Sequence, residues 1–478
     1  MDVQKCERAL VWYRRDLRIR DHAPLQGAVT TAEEVLGVVV LDPREEVIRP
    51  ETGFSRLGAL ARRFRAEAIH DLAEAWHARG GTLVVVRGVP EEVLPELMTR
   101  YGARTVHATR EWGPEERDVE TALTARLGDR LCLHEGQLLV DPADLPVRFE
   151  RLPVQFTPFR HILERSGPPV RAPLEAPRHL PGPAELRGPV GLENLEPDRA
   201  CPDDPRTLAP MRGGESAAWE RLGAWIWRDD RLARYHETRD GLLDPDDASR
   251  FSPYLAWGCL SARQIVAEVR RYEAERVSNR STTWLVFELW WRDFFHLRLR
   301  ATGSRAFAPD GPAGVPVPWL HDRGRFERWL SGETGYPLVD AAMRELAASG
   351  HLSNRGRQVV ASFLVQHLGI DWRWGAWAFQ GWLVDHDVAS NWGNWAYLAG
   401  VGADPRGARV FNPVKQARDH DPDGAYVRHW LPELAGVSSE ALFEPWLHGG
   451  PSPLVDHLEA AREARERYEA VRRLRAHP

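Results

Sequence analysis

The densest group of polar side chains that could do chemistry lies in LVDHDVASNWGNW, residues 383–395. The stretch holds two acids and two amides among tryptophans: Asp385, Asp387, Asn391 and Asn394. Polar groups beside buried rings are costly unless hydrogen bonds satisfy them, and a bound ligand with many hydrogen-bonding edges would do so. Capping of a helix terminus by Asp and Asn is the alternative interpretation.

A second candidate is TTWLVFELWWRDFF, residues 282–295. Glu288, Trp291 and Arg292 stand at positions i, i+3 and i+4, which lie on one helical face. An acid, an indole and a guanidinium side by side could read a flipped-out base by stacking and edge hydrogen bonds. An ordinary i,i+4 ion pair beside a core tryptophan gives the same pattern.

Two further segments suggest anion binding. Arg355 and Arg357 follow Asn354 at the expected start of a helix, where the helix dipole and two guanidiniums favour negative charge. A pair of surface arginines has the same sequence. Ser249, Arg250 and Ser252 precede another helical run, where backbone N–H groups could bind phosphate. A hydroxyl-rich N-cap cannot be told apart from such a site.

The elements that must position these residues change along the chain. The first ~140 residues alternate aliphatic strand-like runs with helical patterns, which predicts a parallel sheet with helices on both faces. From residue 216 onward the apolar residues recur at helical spacing, and residues 165–215 are rich in proline. We therefore predict an α/β, Rossmann-like sheet domain over 1–145, a linker over 146–215 and an all-α domain over 216–478.

Composition limits the classes of function. Hydrophobic residues make up 43% of the 478 and no apolar run reaches ~18 residues, so we expect a soluble protein without a membrane span. The four cysteines lie far apart, without a zinc or disulfide pattern, which suggests the cytoplasm. The net charge of −6 argues against a general polyanion binder but permits a local basic groove. The sheet half lacks GxGxxG and GxxxxGK[ST], so neither standard nucleotide motif is supported.

Several long motifs together resemble the photolyase/cryptochrome family. VWYRRDLRIRDHAPL, STTWLVFELWWRDFF, GYPLVDAAMREL, SNRGRQVVASFLVQHLGIDWRWGAW, LVDHDVASNWGNWAYLAGVGADPRGARVFNPVKQ and DGAYVRHWLPEL follow one another in the family's order. FELWWRDFF, SNRGRQ, DHDVASNWGNW and PSPLVDH are similar to its DASH subgroup. The match covers nearly the whole chain and is strongest after residue 230.

The resemblance implies FAD bound in the helical half. The matching cofactor positions are Tyr235, Ala248, Ser249, Arg250, Phe251, Ser252, Glu288, Arg292, Asn354, Arg357, Asp385, Asp387 and Asn391. Ala248 stands where Ser or Thr is usual, so one hydroxyl contact is absent. Arg357 and Asp385 are expected to pair beside the flavin, and Asn391 to face its N5 atom.

Three tryptophans match the family's electron-transfer chain: Trp395 nearest the flavin, then Trp372, then Trp319 near the surface. Indole is readily oxidised, so such a row can pass an electron to a photoexcited flavin. Core packing is the other interpretation of each ring, and the two roles are compatible. The chain has 20 tryptophans, which makes core packing a serious alternative.

The resemblance also implies a substrate pocket and a reaction. The matching positions are Glu288, Trp291, Asn354, Arg355, Gln358 and Tyr397. Gln358 replaces a methionine and Tyr397 a tryptophan of ordinary dimer photolyases, which suggests weaker stacking. Single-stranded or looped DNA avoids most of the cost of flipping a lesion out of a duplex. The implied activity is that of a deoxyribodipyrimidine photolyase, a carbon–carbon lyase driven by blue light.

Two other functions and one further ligand belong to this interpretation. A cryptochrome-type photoreceptor with vestigial repair is the first alternative function, and a nucleic-acid-binding flavoprotein without photochemistry is the second. A 5,10-methenyltetrahydrofolate antenna is a possible second cofactor, with Glu111 in HATREWGPEER as its acidic contact. We expect a monomer whose partner is DNA.

Overall fold

Five short aliphatic runs form one parallel sheet in the computed structural model, which describes residues 5–167, 169–186, 188–195, 201–403 and 409–476. The strands are β1 (Cys6–Tyr13), β2 (Ala32–Leu41), β3 (Thr82–Arg87), β4 (Thr105–Thr109) and β5 (Leu131–His134). Their order is β3-β2-β1-β4-β5. The predicted parallel sheet is confirmed.

Helices connect these strands: α1 (Ala23–Thr31), α2 (Ala59–His77), α3 (Pro90–Tyr101) and α4 (Pro114–Leu127). Three of them carry proline in the first turn, where its missing N–H costs no hydrogen bond. The strand order reverses between β1 and β4, which is where open α/β sheets place their ligand crevice.

The proline-rich segment packs along the sheet domain. It contains α5 (Phe156–Ser166) and an isolated parallel bridge between Val84 and Val190. The N–H of Val35 donates to the carbonyl of Pro181 at 2.7 Å. The segment thus contributes backbone pairing to the sheet side. The domain limits at residues 145 and 215 stay a prediction.

The second half is helical, as predicted. Its helices are α6 (Glu215–Gly223), α7 (Tyr235–Thr238), α8 (Ser252–Ala256), α9 (Ala262–Glu275), α10 (Arg280–Thr302), α11 (Arg323–Leu330), α12 (Pro337–Ser349), α13 (Asn354–Ser362), α14 (Trp372–Trp382), α15 (Val388–Leu398), α16 (Pro413–His420), α17 (Ala425–Trp430), α18 (Ser439–Leu442) and α19 (His457–Ala476). Within the described ranges, no helix has the length and apolarity needed to cross a membrane.

Glycines end two of these helical segments. Gly350 follows α12 with φ of 66°, a left-handed conformation that favours glycine. The run from Asn354 to Gly369 predicts one continuous helix, but α13 ends at Ser362. A π-helical turn over Phe363–His367 follows before Gly369. Such single wide turns inside helices are frequent at functional sites.

Buried polar contacts join the two halves. Arg263 of α9 forms an ion pair with Asp21, which follows β1, at 2.8 Å, and both side chains are buried. Asp293 of α10 accepts the N–H groups of Leu139 and Val140, each at 3.0 Å. The sheet half therefore holds α9 and α10 in a fixed position.

Candidate functional site

The helical half encloses a cavity of about 340 Å³. Its wall includes twelve residues predicted as cofactor contacts: Tyr235, Ala248, Ser249, Arg250, Phe251, Ser252, Glu288, Arg292, Asn354, Arg357, Asp385 and Asp387. Asn391 lines a smaller adjoining cavity, whose wall also includes Asn354, Arg357, Asp385 and Asp387. Predicted residues that are up to 152 positions apart in the sequence therefore surround the larger cavity.

An ion pair between α13 and the loop that connects α14 to α15 lies in this wall. Arg357 Nη2 is 2.7 Å from Asp385 Oδ2, and the Ser252 hydroxyl donates to the same oxygen at 2.6 Å. Burial raises the pKa of Asp385, but the guanidinium and the hydroxyl favour the carboxylate and hold the pKa below its ordinary value. The wall thus carries a fixed negative charge balanced by Arg357.

Asp387 is both a helix cap and a charged wall residue. It accepts the Ser390 N–H at 2.7 Å as N-cap of α15, so the capping interpretation is correct for this acid. His296 Nε2 lies 3.1 Å from its Oδ2. Burial raises the pKa of Asp387, but His296 and the Ser390 contact hold it well below the ordinary value.

Asn391 lines the adjoining cavity, and one hydrogen bond to the protein holds its amide. Its Nδ2 donates one of its two N–H groups to the Ala376 carbonyl at 2.9 Å. The Oδ1 atom can accept a hydrogen bond from a ligand, and the second N–H group can donate one.

The 248–252 segment differs from its predicted form. The helix that follows, α8, has only five residues, so no extended helix N-terminus is present to bind phosphate. Arg250 has φ of 54°, which is rare outside glycine, and its guanidinium is largely buried in the cavity wall. Burial lowers the pKa of Arg250. The segment thus brings a guanidinium into the cavity wall, and phosphate binding by its backbone N–H groups stays a prediction.

Glu288 and Arg292 share the cavity-facing side of α10. Glu288 Oε1 lies 2.5 Å from Arg239 Nη1 and accepts the Trp284 Nε1–H at 2.9 Å. Burial raises the pKa of Glu288 more than Arg239 lowers it. Arg292 donates to the Gln137 carbonyl at 2.6 Å, which links the cavity to the sheet half.

Trp291 does not line the cofactor cavity, in contrast to our expectation of one shared face. It stacks on Phe156 of α5 with ring centroids 3.6 Å apart and planes at 11°. Its ring also lies 6.0 Å from Tyr397, edge to face. Tyr397, likewise outside that wall, accepts a hydrogen bond from Arg409 at 2.7 Å. The two predicted stacking residues contact each other beside the cavity.

Three of the remaining substrate candidates lie on α13. Arg355 pairs with Asp240 at 3.0 Å and donates to Gln358 at 3.1 Å. Asn354 lines both cavities, and Gln358 lines the smaller one. Both arginines at this helix start are therefore balanced by acids, Arg355 by Asp240 and Arg357 by Asp385.

The three relay tryptophans lie along one path. Trp395 lines the smaller cavity, and its ring is so close to Gly375 that an added Cβ would stand 2.1 Å from it. Gly375 lies one turn after Trp372 in α14. Trp372 and Trp319 both donate their Nε1–H to the Pro309 carbonyl, at 3.1 and 2.8 Å. Trp319 is the partly exposed member, and the electron-transfer role stays a prediction.

Sequence reasoning missed several cavity residues. Arg239, Glu345, His351 and Trp430 also line the cavity. Glu345 is half-buried and accepts the Tyr426 hydroxyl at 2.5 Å, and desolvation raises its pKa to about 7. Its position in MRELAASG, on a helix with an apolar face, was a signal that an acid there faces a polar space. Arg239 gave no local signal, because its partner Glu288 is 49 residues away.

The donor set of the cavity fits FAD. Four wall residues carry buried polar atoms that lack a hydrogen-bond partner in the described part of the chain: Asp385 Oδ1, Arg239 Nε, Arg250 Nε and Thr207 Oγ1. Such atoms are unfavourable unless a ligand satisfies them. Guanidiniums suit a diphosphate, and the acids and amides suit hydroxyl and ring N–H groups.

Glu111 lies at the junction of the halves. It lines a small cavity together with Arg292, His386 and Asp387. Arg14 Nη2 is 3.3 Å from its Oε2, while its buried Oε1 has no partner among the described residues. Burial raises the pKa of Glu111.

Comparisons with known proteins agree with this geometry. A model described as "DNA photolyase" matches residues 9–178, and one described as "FAD binding domain of DNA photolyase" matches residues 284–470. The chain is 46% identical over 448 residues to "Cryptochrome DASH" of Gloeobacter violaceus, covering 91% of this chain and 88% of that protein.

Two solved structures share the fold. The cryptochrome of Synechocystis sp. has a TM-score of 0.91 at 42% identity, covering 97% of this chain and 99% of that one. A class III photolyase from Agrobacterium tumefaciens has a TM-score of 0.85 at 30% identity, covering 98% of both chains. The predicted fold class and resemblance are confirmed: the chain belongs to the photolyase/cryptochrome family, among its DASH cryptochromes, and carries the family's FAD-binding domain.

Proposed function

We propose that the chain is a light-driven lyase that opens cyclobutane pyrimidine dimers in single-stranded or looped DNA. The observation that carries this proposal is Glu288, a half-buried carboxyl in the wall of the cavity that fits FAD. When bound, reduced FAD excited by blue light supplies one electron to the dimer and receives it back after ring opening, so the reaction has no net redox change.

Several wall residues each contribute one contact to FAD. Arg357, balanced by Asp385, supplies a guanidinium in a fixed position. Arg250 supplies a second, buried positive charge. Asn391, whose amide is held by a hydrogen bond to the Ala376 carbonyl, accepts a hydrogen bond at Oδ1. Each contact is made by a side chain that the protein has already oriented, which lowers the entropy lost on binding.

Glu288 acts on the substrate by donating a hydrogen bond. Desolvation raises the pKa of this carboxyl above its ordinary value. In its protonated form the carboxyl donates a hydrogen bond to a pyrimidine carbonyl. A donor aimed at that oxygen stabilises negative charge that develops there. Arg239, at 2.5 Å from Glu288, limits the rise in pKa and orients the carboxyl.

The preference for single strands follows from the aromatic pair beside the cavity. Phe156 covers one face of Trp291, and Arg409 holds the hydroxyl of Tyr397. Little free aromatic surface is left to stack on a lesion, so binding offsets less of the unstacking cost in a duplex. A single strand does not have that cost.

A photoreceptor is the second candidate function. Phe156 covers one face of Trp291, which disfavours duplex repair, but the flavin site and the indole path to Trp319 remain. A light sensor needs both of these.

We propose a folate antenna at Glu111, whose buried and unpartnered Oε1 would accept an N–H group. A folate-loaded protein should absorb near-ultraviolet light beyond the flavin's own bands, and Glu111→Gln should lose that absorbance.

Irradiation of purified, reduced protein with dimer-containing oligonucleotides tests the proposal. We expect repair of single strands at a higher rate than of duplexes. Glu288→Ala, which removes the donor, should retain FAD and repair roughly 10- to 100-fold more slowly, the effect of losing one strong hydrogen bond. Glu275→Ala, at an exposed residue at the end of α9, is the matched control.

Three outcomes would contradict parts of this proposal. Full FAD occupancy without repair of either substrate would favour the photoreceptor. Equal repair of duplexes and single strands would remove the strand preference. Unchanged repair per absorbed photon in Glu288→Ala would exclude this carboxyl from the reaction.

A further inference from the structure

Part of the proline-rich interdomain segment lies in the wall of the cofactor cavity. Thr207, Leu208 and Ala209 line the same space as Arg250 and Asp385. The segment comes from the region predicted as a linker, and it is not among the family-type cofactor positions. The cavity is therefore not built from the helical domain alone.

A neighbouring residue anchors this segment to the helical half. The Arg206 carbonyl lies 2.7 Å from His429 Nε2, a hydrogen-bond distance. The Arg206 guanidinium stands 5.4 Å from the centre of the Trp430 ring, within the range of a cation–π contact. Trp430 itself lines the cavity. One face of the segment is thus held against α17, beside the space where FAD would bind.

Thr207 carries an unsatisfied polar atom in this wall. Its Oγ1 is buried and has no hydrogen-bond partner among the described residues, although its backbone N–H donates to the Asp204 carbonyl. A buried hydroxyl without a partner is unfavourable, so a ligand acceptor would stabilise it. Leu208, the next residue, is 54% exposed, which places this stretch between the cavity and solvent.

We infer that residues 206–209 are the outer wall of the cofactor site: Thr207 donates a hydrogen bond to bound FAD, and the anchored segment limits FAD release. The inference rests on FAD binding and not on DNA repair, so it goes beyond the proposed function. It assigns a binding role to the interdomain segment. Because FAD cannot leave on this side while Arg206 is anchored, the stability of the anchor sets the release rate.

Release of FAD from the full-length protein tests this directly. Free flavin is more fluorescent than bound flavin, so dilution of the holoprotein gives the release rate. Thr207→Val removes the hydroxyl at nearly constant volume and should accelerate release roughly three- to tenfold, as expected for one hydrogen bond. Thr207→Ser retains the hydroxyl and should release FAD at nearly the wild-type rate.

Two further variants separate the hydrogen bond from the anchor. Arg206→Ala removes the guanidinium over Trp430 and should also accelerate release, without touching the Thr207 hydroxyl. Thr99→Val, at an exposed position of α3, is the matched control and should leave the rate unchanged. Thermal unfolding of each variant, monitored by circular dichroism, shows whether it is folded.

The outcomes distinguish the inference from the assignment of the cofactor. Wild-type release rates in both folded Thr207→Val and Arg206→Ala would overturn the role of the segment. Equal acceleration in Thr207→Ser and Thr207→Val would overturn the hydrogen bond, since only Val lacks the hydroxyl. Purified wild-type protein that contains and binds no FAD would instead refute the cofactor assignment itself.

Discussion

Asp385 receives two contacts on one carboxylate oxygen and none on the other. Oδ2 is shared by Arg357 and Ser252, while Oδ1 is buried without a partner in the described chain. The first oxygen serves the stability of the protein, and the second is available to a ligand. A substitution at this residue should therefore change folding and cofactor binding together.

Asp385→Asn should lower the free energy of unfolding by about 1–3 kcal/mol, because Arg357 loses a charge-assisted hydrogen bond in a mostly buried site. FAD occupancy should fall as well. Since the folded-state pKa of Asp385 is below its ordinary value, this stabilisation is present above the unfolded-state pKa and is lost as pH falls towards the folded-state pKa. Denaturant unfolding at neutral and acidic pH measures both effects.

Asp310→Asn is the control for this substitution. It removes an ion pair with Arg305 whose side chains are both substantially exposed, and exposed pairs contribute little. A variant at Asp385 with wild-type stability and wild-type FAD content would show that the ion pair is not structural and that Oδ1 holds no ligand.

Local spacing predicted part of the cavity wall correctly. Glu288 and Arg292 lie roughly 40° apart around a helix, whereas Trp291 lies roughly 60° from Glu288 in the opposite direction. That rotation turns the indole towards Phe156 of α5, a partner 135 positions earlier in the sequence. Contacts between distant segments thus decide which side of a broad helical face meets the cofactor cavity, and the role of Trp291 towards substrate stays a prediction.

Among the elements, β4 and β5 share a pair of histidines. His107 Nδ1 lies 3.0 Å from His134 Nε2, so at most one of these nitrogens carries a proton. Burial, and then His134, lower the pKa of His107 to about 4. Burial also lowers the pKa of His134. The folded protein therefore favours the neutral form of both imidazoles at this side of the sheet.

His107→Asn should flatten the pH dependence of stability. Between about pH 4 and 6.5 the unfolded chain binds more protons at this residue than the folded protein, so wild-type stability falls as pH decreases. The loss from pH 7.5 to pH 5 should be roughly 1–2 kcal/mol smaller in the variant. His448→Asn, at an exposed position, should keep the wild-type slope. An unchanged slope in His107→Asn would exclude this residue as its source.

The path from Trp395 to Trp319 depends on α14, α15 and the loop around Pro309. The backbone of α14 connects the first two indoles, and a shared carbonyl connects the last two. Trp392 also stands edge to face with Trp372, at 5.4 Å between ring centres. These contacts place Trp372 in the middle of the path, where its loss has the largest effect.

Trp372→Phe should remove nearly all light-driven reduction of the oxidised flavin, because phenylalanine is far harder to oxidise than indole. The chemically reduced variant should still repair single-stranded dimers. Flavin absorbance under illumination with an external reductant measures the first effect. Trp446→Phe, in the C-terminal region beside Tyr336, provides a control with the same chemical change. Normal photoreduction in Trp372→Phe would refute the relay.

Periodicity predicted elements better than it predicted their interruptions. Strands with aliphatic runs and helices ending at glycine follow from local preferences, as at Gly350. The π-helical turn at Phe363–His367 does not, because it inserts one residue into an unbroken apolar pattern. The proline-rich segment was predicted as a surface connection, and only long-range pairing, such as Val84 with Val190, places it on the sheet.

At the scale of the whole molecule, the halves are joined by a buried ion pair with two hydrogen bonds. Arg263 donates Nε and Nη2 to the two carboxylate oxygens of Asp21, at 3.0 and 2.8 Å. The Leu174 N–H donates to Oδ1 of the same residue at 3.0 Å. Asp21 thus connects the sheet half, the interdomain segment and α9.

Asp21→Asn should lower the free energy of unfolding by about 3–5 kcal/mol, because Arg263 becomes a buried charge without a balancing acid. Asparagine tolerates the left-handed φ of 51° at this position, so the effect reports the charge and not the backbone. Denaturant unfolding measures it, with Asp419→Asn, an exposed partner of Lys415, as the control.

The double variant Asp21→Asn with Arg263→Met tests whether the uncompensated charge of Arg263 causes the loss of stability in Asp21→Asn. Replacing the stranded guanidinium by an apolar side chain removes the uncompensated charge, so the double variant should be more stable than Asp21→Asn alone. The wall of the FAD cavity includes the interdomain segment that Asp21 contacts, so we expect Asp21→Asn to retain FAD less well. The double variant should recover this retention. A double variant no more stable than Asp21→Asn would show that shape complementarity, and not charge balance, joins the two halves.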